Sequence, residues 1–427
     1  MEGNQAALAL TVFAVTYALV VSERLHRAVA AMGGAAVVVF TGLLDQDEAV
    51  AAIDFNTLGL LIGMMVIVTI TRETGLFEYL AVRAARVARG EPVRILVGLG
   101  LVTAVLSAFL DNVTAVFLIV PVTFALTRRL QLSAIPFLIT EILASNIGGT
   151  ATLIGDPPNI MISAPAGLGF VDFLANLAPI ATVVLIVTTA ILYFLFRPQL
   201  HTEPELKKKI LAIEPRDYLH DRRLLRQSLL VLGLTLAGFI LHQYIHLPAA
   251  SIALGGATVL LIVTRKDPEK PFRGIEWPTL FFFAGLFVIV GALEATGVME
   301  RAARAALDLT GGRLLATGMA LLWVSALASG LVDNIPFVAA MIPLLQEMGR
   351  LGAVVDLDPW WWSLALGACL GGNGTLVGAA ANVIVAGLAE KNGTPIGFWD
   401  FFRYGFPLML LSVALAAVYL IIFHLRG

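Results

Sequence analysis

"IGGTATLIGDPPN", residues 147–159, lies in the middle of an apolar run yet carries three glycines, two adjacent prolines, an aspartate and an asparagine. A lipid-exposed chain cannot leave backbone groups unbonded, so a broken helix at membrane depth is tolerated only inside protein or along a watery cavity. The break therefore predicts a site. Glycines let the backbone bend, and Pro157 with Pro158 ends one half-helix and starts the next. The freed carbonyls can hold a cation. The amides of the following half-helix, at the positive end of its dipole, can hold an anion or a polar oxygen. A second stretch, "GGNGTLVGAAANVIVAG" at 371–387, repeats the pattern. Thr150, Thr152 and Asn159 are the candidate polar groups of the first break, with Gly148 and Gly149 shaping it. Asn373, Thr375 and Asn382 are those of the second, with Gly372.

Working outward, the chain is 59% hydrophobic and 14% charged over 427 residues, against about 25% charged for a soluble domain. This composition defines an all-α polytopic membrane protein with no room for a separate water-soluble domain. The formal net charge of −2, with arginines spread between spans, points to no nucleic-acid partner. The single cysteine, Cys369, rules out an internal disulfide and any multi-cysteine metal site. No cofactor and no metal centre are expected. The first apolar run, 6–21, lacks a basic leader and a small-residue cleavage pattern, and reads as a retained span.

About 20 apolar residues make a crossing. Runs at 6–21, 28–44, 57–71, 134–163 (broken) and 173–196 give five crossings in the first half; 226–245, 248–264, 278–293, 360–390 (broken) and 404–425 give five in the second. The stretches 95–127 and 314–348 carry "DNVT" and "DNIP" at their centres, and their short arms of some 15 residues read as re-entrant helical hairpins. Basic residues gather at Arg24 and Arg27, at 72–94 and at 201–223, which makes that face cytoplasmic and puts both termini outside. Arg301, Arg304 and Arg313 are expected on an interfacial amphipathic helix, where they can snorkel.

The halves repeat. At an offset of 222, Thr57, Thr74, Gly75, Glu78, Asp111, Asn112 and Pro121 fall on Thr279, Thr296, Gly297, Glu300, Asp333, Asn334 and Pro343. At 223, Gly149, Thr152, Gly155 and Asn159 fall on Gly372, Thr375, Gly378 and Asn382. An odd number of crossings per half inverts the second relative to the first. Inverted repeats with interrupted helices point to a secondary transporter with its site near the midplane. The units are 1–200, a linker at 201–223, and 224–427.

Asp111 and Asp333 sit at equivalent hairpin tips, where helix capping and ion handling are both readings of an acid at membrane depth. Asp156 has Ala379 as its counterpart, so the site is not symmetric in charge. Asn112, Thr114, Asn146 and Asn334 flank these positions. Cys369 aligns with Asn146 and reads as a packed thiol, contact with a thiophilic substrate being the alternative. Glu141 and Glu294 are read as interface or loop residues, with proton relay as the alternative. His242 and His246 are read as solvated polar caps, and Trp360–Trp362 as an interfacial aromatic anchor. No convincing pair of nucleophile and base is present, so the chain is read as a transporter and not an enzyme.

"DNVTAVFLIVPV" (111–122), "ASNIGGTATLIGDPPNIMIS" (144–163), "DNIPFVAAMIPL" (333–344) and "GGNGTLVGAAANVIVAG" resemble the ion transporter superfamily, in the branch of arsenite-efflux permeases, the P protein and sodium/proton antiporters. The resemblance covers nearly the whole chain. It implies an elevator-type homodimer in the plasma (inner) membrane, with proton-coupled efflux of arsenite or antimonite as the first expectation and a cytoplasmic ATPase as a candidate partner. Dicarboxylate carriers of the superfamily have Ser-Asn-Thr at both tips. The acids at Asp111 and Asp333 depart from that pattern and suit a neutral substrate such as arsenous acid, or a small cation, with Asp111, Asp333 and Asp156 handling protons. A sodium/proton antiporter, a sodium-coupled anion or dicarboxylate symporter and a channel-like pathway are the alternatives.

Overall fold

The computed structural model describes residues 2–22, 24–352 and 356–426. The first half runs through α1 (Glu2–Val21), α2 (Arg27–Phe40), the short α3 (Gln46–Ala51), α4 (Phe55–Arg72), α5 (Leu76–Val87), α6 (Pro92–Phe109), α7 (Asn112–Leu130), α8 (Ile135–Thr150), α9 (Pro157–Ala166) and α10 (Phe170–Phe196). α11 (Pro204–Leu211) lies in the connection. The second half follows in the same order: α12 (Arg222–Ile245), α13 (Ala249–Thr264), α14 (Glu269–Arg273), α15 (Trp277–Ala295), α16 (Val298–Thr310), α17 (Leu314–Leu331), α18 (Asn334–Arg350), α19 (Asp358–Gly371), α20 (Ala380–Lys391) and α21 (Phe398–Phe423). The chain is an all-helical, multi-pass membrane protein of two inverted repeats, each with five crossings and a hairpin.

Backbone details recur between the halves. Gly75 and Gly297 open α5 and α16 with φ of 74° and 70°, a left-handed conformation that glycine adopts at little cost. Pro121 and Pro343 interrupt the ladders of α7 and α18 at matching places. The repeats also interlock. α4 packs on α13 and α2 on α15, through glycines that let the backbones touch: a Cβ on Gly63 would lie 2.4 Å from the Ala253 carbonyl carbon, and one on Gly285 2.6 Å from that of Ala31. Small residues at such crossings are how membrane helices gain contact without a hydrophobic driving force between them.

Nine helices among the described residues are long and apolar enough to cross a bilayer, and α6, α7 and α17 are among them. The hairpin arms are longer than the expected 15 residues: 18 in α6 and 19 in α7. Arg94, Arg128 and Arg129 end the apolar run, but helical hydrogen bonding continues past them. What makes these arms hairpins is the position of their turn, which is bonded to the broken helices in the protein interior.

Trp360, Trp361 and Trp362 are not an interfacial anchor. They are 0–2% exposed, Trp360 donates its indole N–H to the Leu314 carbonyl at 3.0 Å, and Trp362 meets Phe173 edge-on. The start of α19 faces α17 and α10 rather than the headgroup layer, so the indole N–H finds its partner inside the protein. Glu141 likewise is neither in a loop nor at an interface; it is wholly buried in α8. Glu294 is exposed near the end of α15, and His246 caps α12 in a left-handed conformation. α16 carries Arg301 and Arg304 on an amphipathic helix, with Arg304 paired to Glu300 at 2.6 Å.

Candidate functional site

Each break is closed by the same three side-chain clamps. Ser107 donates to the Ser145 carbonyl at 2.6 Å, and Ser329 to that of Ala368 at 2.6 Å. Thr152 donates to the Ala108 carbonyl, and Thr375 to that of Gly330 at 2.6 Å. Asn159 spans the Thr150 and Thr152 carbonyls at 3.2 and 2.9 Å, and Asn382 those of Gly372 and Thr375 at 2.7 and 2.8 Å. The carbonyls that helix breaking frees are thus taken by the amide of the following half-helix, each keeping a second lone pair. The clamps hold the hairpins against the breaks.

The glycines have a different task from the one their sequence context suggests. A Cβ on Gly148 would lie 2.1 Å from the Ala104 carbonyl oxygen, and one on Gly371 2.5 Å from that of Ala326. These residues let α8 touch α6 and α19 touch α17. Gly149 similarly crosses Gly155, with 2.6 Å from its built Cβ to the Gly155 oxygen, while Gly372 would meet the Ala379 Cβ at 3.1 Å.

At the centre, two asparagines that follow the hairpin acids converge on one carboxylate. Asn112 Nδ2 donates to Asp156 Oδ1 at 3.3 Å, and Asn334 Nδ2 donates to the same oxygen at 3.3 Å. Asn146 ties the halves together: its oxygen accepts from Asn112 at 3.3 Å, and its nitrogen donates to Asn373 and Asn382, both at 2.9 Å. The Cys369 thiol donates to Asn159 Oδ1 at 3.5 Å. Asn112, Asn146, Asp156, Asn159, Asn334, Asn373 and Asn382 are all buried. Thr150 turns back onto the Asn146 carbonyl at 2.8 Å.

The two tip aspartates cap their own second arms. Asp111 accepts from the backbone N–H of Thr114 at 2.8 Å and from its hydroxyl at 2.6 Å. Asp333 accepts from the Ile335 N–H at 3.0 Å. Its other oxygen lies 3.0 Å from Arg27 Nη1, an ion pair whose side chains are 25% and 15% exposed. Arg27 also donates to Thr279 Oγ1 at 3.3 Å and lies 5.4 Å from the Phe282 ring centroid. Thr279 in turn donates to Glu276 at 3.2 Å.

Sequence reading did not place Arg27, Glu276 or Thr279 in the site. Arg27 is the first residue of α2, and from there an arginine counted as a loop charge reaches the second hairpin tip. A cavity lined by Arg27, Asp111, Asn112, Asp156, Glu276, Thr279 and Asn334 occupies this centre. It adjoins an open cleft bounded by the α1–α2 connection, the second hairpin tip and α20. Among the described residues no cluster of metal-ligating side chains occurs.

Interlocked inverted repeats, two hairpins and two broken helices around a buried polar centre define a multi-pass membrane transporter. Residues 17–367 match the family described as "CitMHS: Citrate transporter", and the chain belongs to that family. It is 44% identical over 418 residues to a "46 kDa membrane protein" of Mycobacterium leprae, with 97% of each chain covered. It is 46% identical, over the same length and coverage, to an uncharacterized transporter of Mycobacterium tuberculosis. The human P protein is 37% identical over 504 aligned positions that cover 99% of this chain and 60% of the P protein, so the chain spans about three fifths of that relative. The crystal structure of the YdaH transporter of Alcanivorax borkumensis shares the fold, with a TM-score of 0.61 at 15% identity and 98% of both chains covered.

Proposed function

We propose that the protein is a proton-coupled exporter of a small, neutral inorganic oxyacid, arsenous or antimonous acid. One observation carries this reading: Asp111, Asp156, Asp333 and Glu276 surround the centre, and Arg27 is the one arginine or lysine among the residues lining it. Like charges about 5 Å apart repel by roughly 3 kcal/mol at an effective dielectric of about 20, so a polycarboxylate entering beside these acids meets a barrier that an uncharged oxyacid does not. The amides of Asn112, Asn146, Asn334 and Asn373 offer the donors and acceptors that a trihydroxy acid needs. A single buried cysteine cannot supply several thiolates, so the substrate is held by hydrogen bonds.

In this reading 1–200 and 224–427 act as the repeat units on either side of the 201–223 linker, and the basic segments face the cytoplasm. The open cleft beside Arg27 then admits substrate from the cytoplasm. The hairpins and broken helices, α6–α9 and α17–α20, travel as one body against a scaffold of α1, α2, α4, α12, α13 and α15, in a homodimer. Asp156 and Asp111 exchange the coupling proton, while Arg27 balances Asp333. A sodium/proton antiporter is favoured instead if the carbonyls at the breaks release their asparagines to a cation.

The test is arsenite uptake into everted vesicles or proteoliposomes. Accumulation that rises with an imposed proton gradient and collapses with a protonophore is expected. Absence of arsenite uptake together with sodium-driven proton movement would replace this reading with the antiporter.

A further inference from the structure

Glu141 lies outside the polar centre, in the second turn of α8, with no exposed surface. Thr123 Oγ1, on α7, is 2.5 Å from Glu141 Oε1 and 3.3 Å from the Ile119 carbonyl oxygen. A threonine hydroxyl holds one proton, so two full bonds, rather than one proton shared between both oxygens, require the second proton to come from Glu141. The carboxylic acid then donates to Thr123 Oγ1, and Thr123 donates to Ile119. Glu141 Oε2 has no hydrogen-bond partner, which fits the carbonyl oxygen of a neutral acid and not a carboxylate stranded among apolar side chains.

Packing does not require an acid here. The equivalent residue in the second half is Leu364, also fully buried. Nor is a counter-charge present among the described residues. The charged residues of the helices packed on α8 sit towards helix ends: Arg94 in α6, Arg128 and Arg129 in α7, Asp172 in α10, Asp358 in α19, Glu390 and Lys391 in α20, Asp400 and Arg403 in α21. Among the described residues none forms an ion pair with Glu141. Of the other titratable groups on these helices, Cys369 faces Asn159, Tyr193 and Tyr404 pack on Phe194 and Phe196, and Tyr419 donates to the Asn176 carbonyl.

Position gives the acid a use. Residues four apart share a helix face about 6 Å apart along the axis, which sets Glu141 one turn from Ser145. Ser145 donates to the Asn112 carbonyl at 3.2 Å, at the tip of the first hairpin. Glu141 is thus the next polar group on the α7-facing stripe after the substrate centre.

We propose that Glu141 is a proton-binding site of the transport cycle, neutral and sealed in the conformation described here and releasing its proton when water reaches the α7–α8 contact in another. On release the O–H bond breaks, its electron pair stays on the carboxylate and the proton passes to water; rebinding reverses this. The inference rests on the proton-coupled reading above and adds a carrier outside the residues assigned to substrate.

The test uses Glu141→Gln, whose amide N–H can donate to Thr123 as the acid does, in full-length protein in proteoliposomes. Infrared difference spectra of the wild type recorded across the physiological pH range should contain a titrating carbonyl band of a protonated carboxylic acid that is missing in Glu141→Gln. If every titrating carbonyl band of the wild type survives in the variant, or the band that the variant lacks never responds to pH, the proposal is overturned. In flux assays, proton-driven arsenite accumulation should fall at least about tenfold, while arsenite exchange at equal pH, which moves no net proton, persists. Undiminished accumulation overturns it. Wild-type protein that moves no arsenite defeats the substrate reading alone, because the infrared titration still decides Glu141.

Discussion

The two hairpin tips are built alike and wired differently. In both, an aspartate caps the second arm and the next residue, an asparagine, reaches Asp156. Asp111 is held by Thr114 and forms no ion pair among the described residues. Asp333 holds Arg27, a residue 306 positions away whose equivalent in the second half is Ala249. The central acid is also single, since Ala379 stands where a second Asp156 would be. Duplication supplied the clamps and the close helix crossings twice, because backbone satisfaction is required in each half. The central acid stands once while the tip acids recur in both halves; a second buried acid beside Asp156 would meet like-charge repulsion in a poorly screened interior. The symmetric features therefore hold the fold, and the asymmetric ones differentiate the two sides of the centre.

The largest effect should come from breaking what the halves share. Gly148→Ala and Gly371→Ala each force a Cβ into a neighbouring backbone carbonyl, and overpacking of a close crossing costs about 1–3 kcal/mol or more. Both variants should show poor yield of monodisperse protein and a lowered Tm in detergent. A Gly148→Ala protein melting like wild type would mean that α6 and α8 are not in contact. Next, Asp156→Asn removes the single central charge while keeping an amide oxygen to accept from Asn112 or Asn334. Proton-driven arsenite accumulation should drop at least about tenfold with folding retained, and normal accumulation would take Asp156 out of the coupling scheme.

A smaller effect should separate the tips from each other. Asp333→Asn leaves Arg27 without its counter-charge, and adding Arg27→Gln should recover part of the loss. A double-mutant cycle read by thermal or denaturant unfolding should give a coupling of about 0.5–2 kcal/mol for this partly exposed pair. The same cycle with Asp111→Asn should be additive within about 0.5 kcal/mol. Equal coupling at both tips would erase the asymmetry. Cys369→Ser should matter least. A serine hydroxyl can donate to Asn159 as the thiol does, so arsenite flux should stay within about twofold of wild type. Complete loss in a normally folded variant would point to direct sulfur contact with the substrate.

Much of this was legible in the sequence because backbone constraints are local. A run of glycines and prolines in an apolar stretch announces a break wherever the chain goes, and a matching run 223 residues later announces the inverted repeat. The polar residues at 146–159 and 373–382 were identifiable for the same reason, since a broken helix in lipid must carry its own donors and acceptors. Partners were not legible. That Asn112 and Asn334 meet at Asp156, that Asn159 and Asn382 occupy the carbonyls of the breaks, that Arg27 at the start of α2 reaches Asp333, and that three tryptophans at a helix start face inward all depend on which helices lie side by side. Sequence alone determined where the backbone must leave the helix and how many times the chain turns back; only the tertiary structure decided which acid would gain a cation, because an ion pair is fixed by a distance of a few ångströms between groups that the chain separates by hundreds of residues.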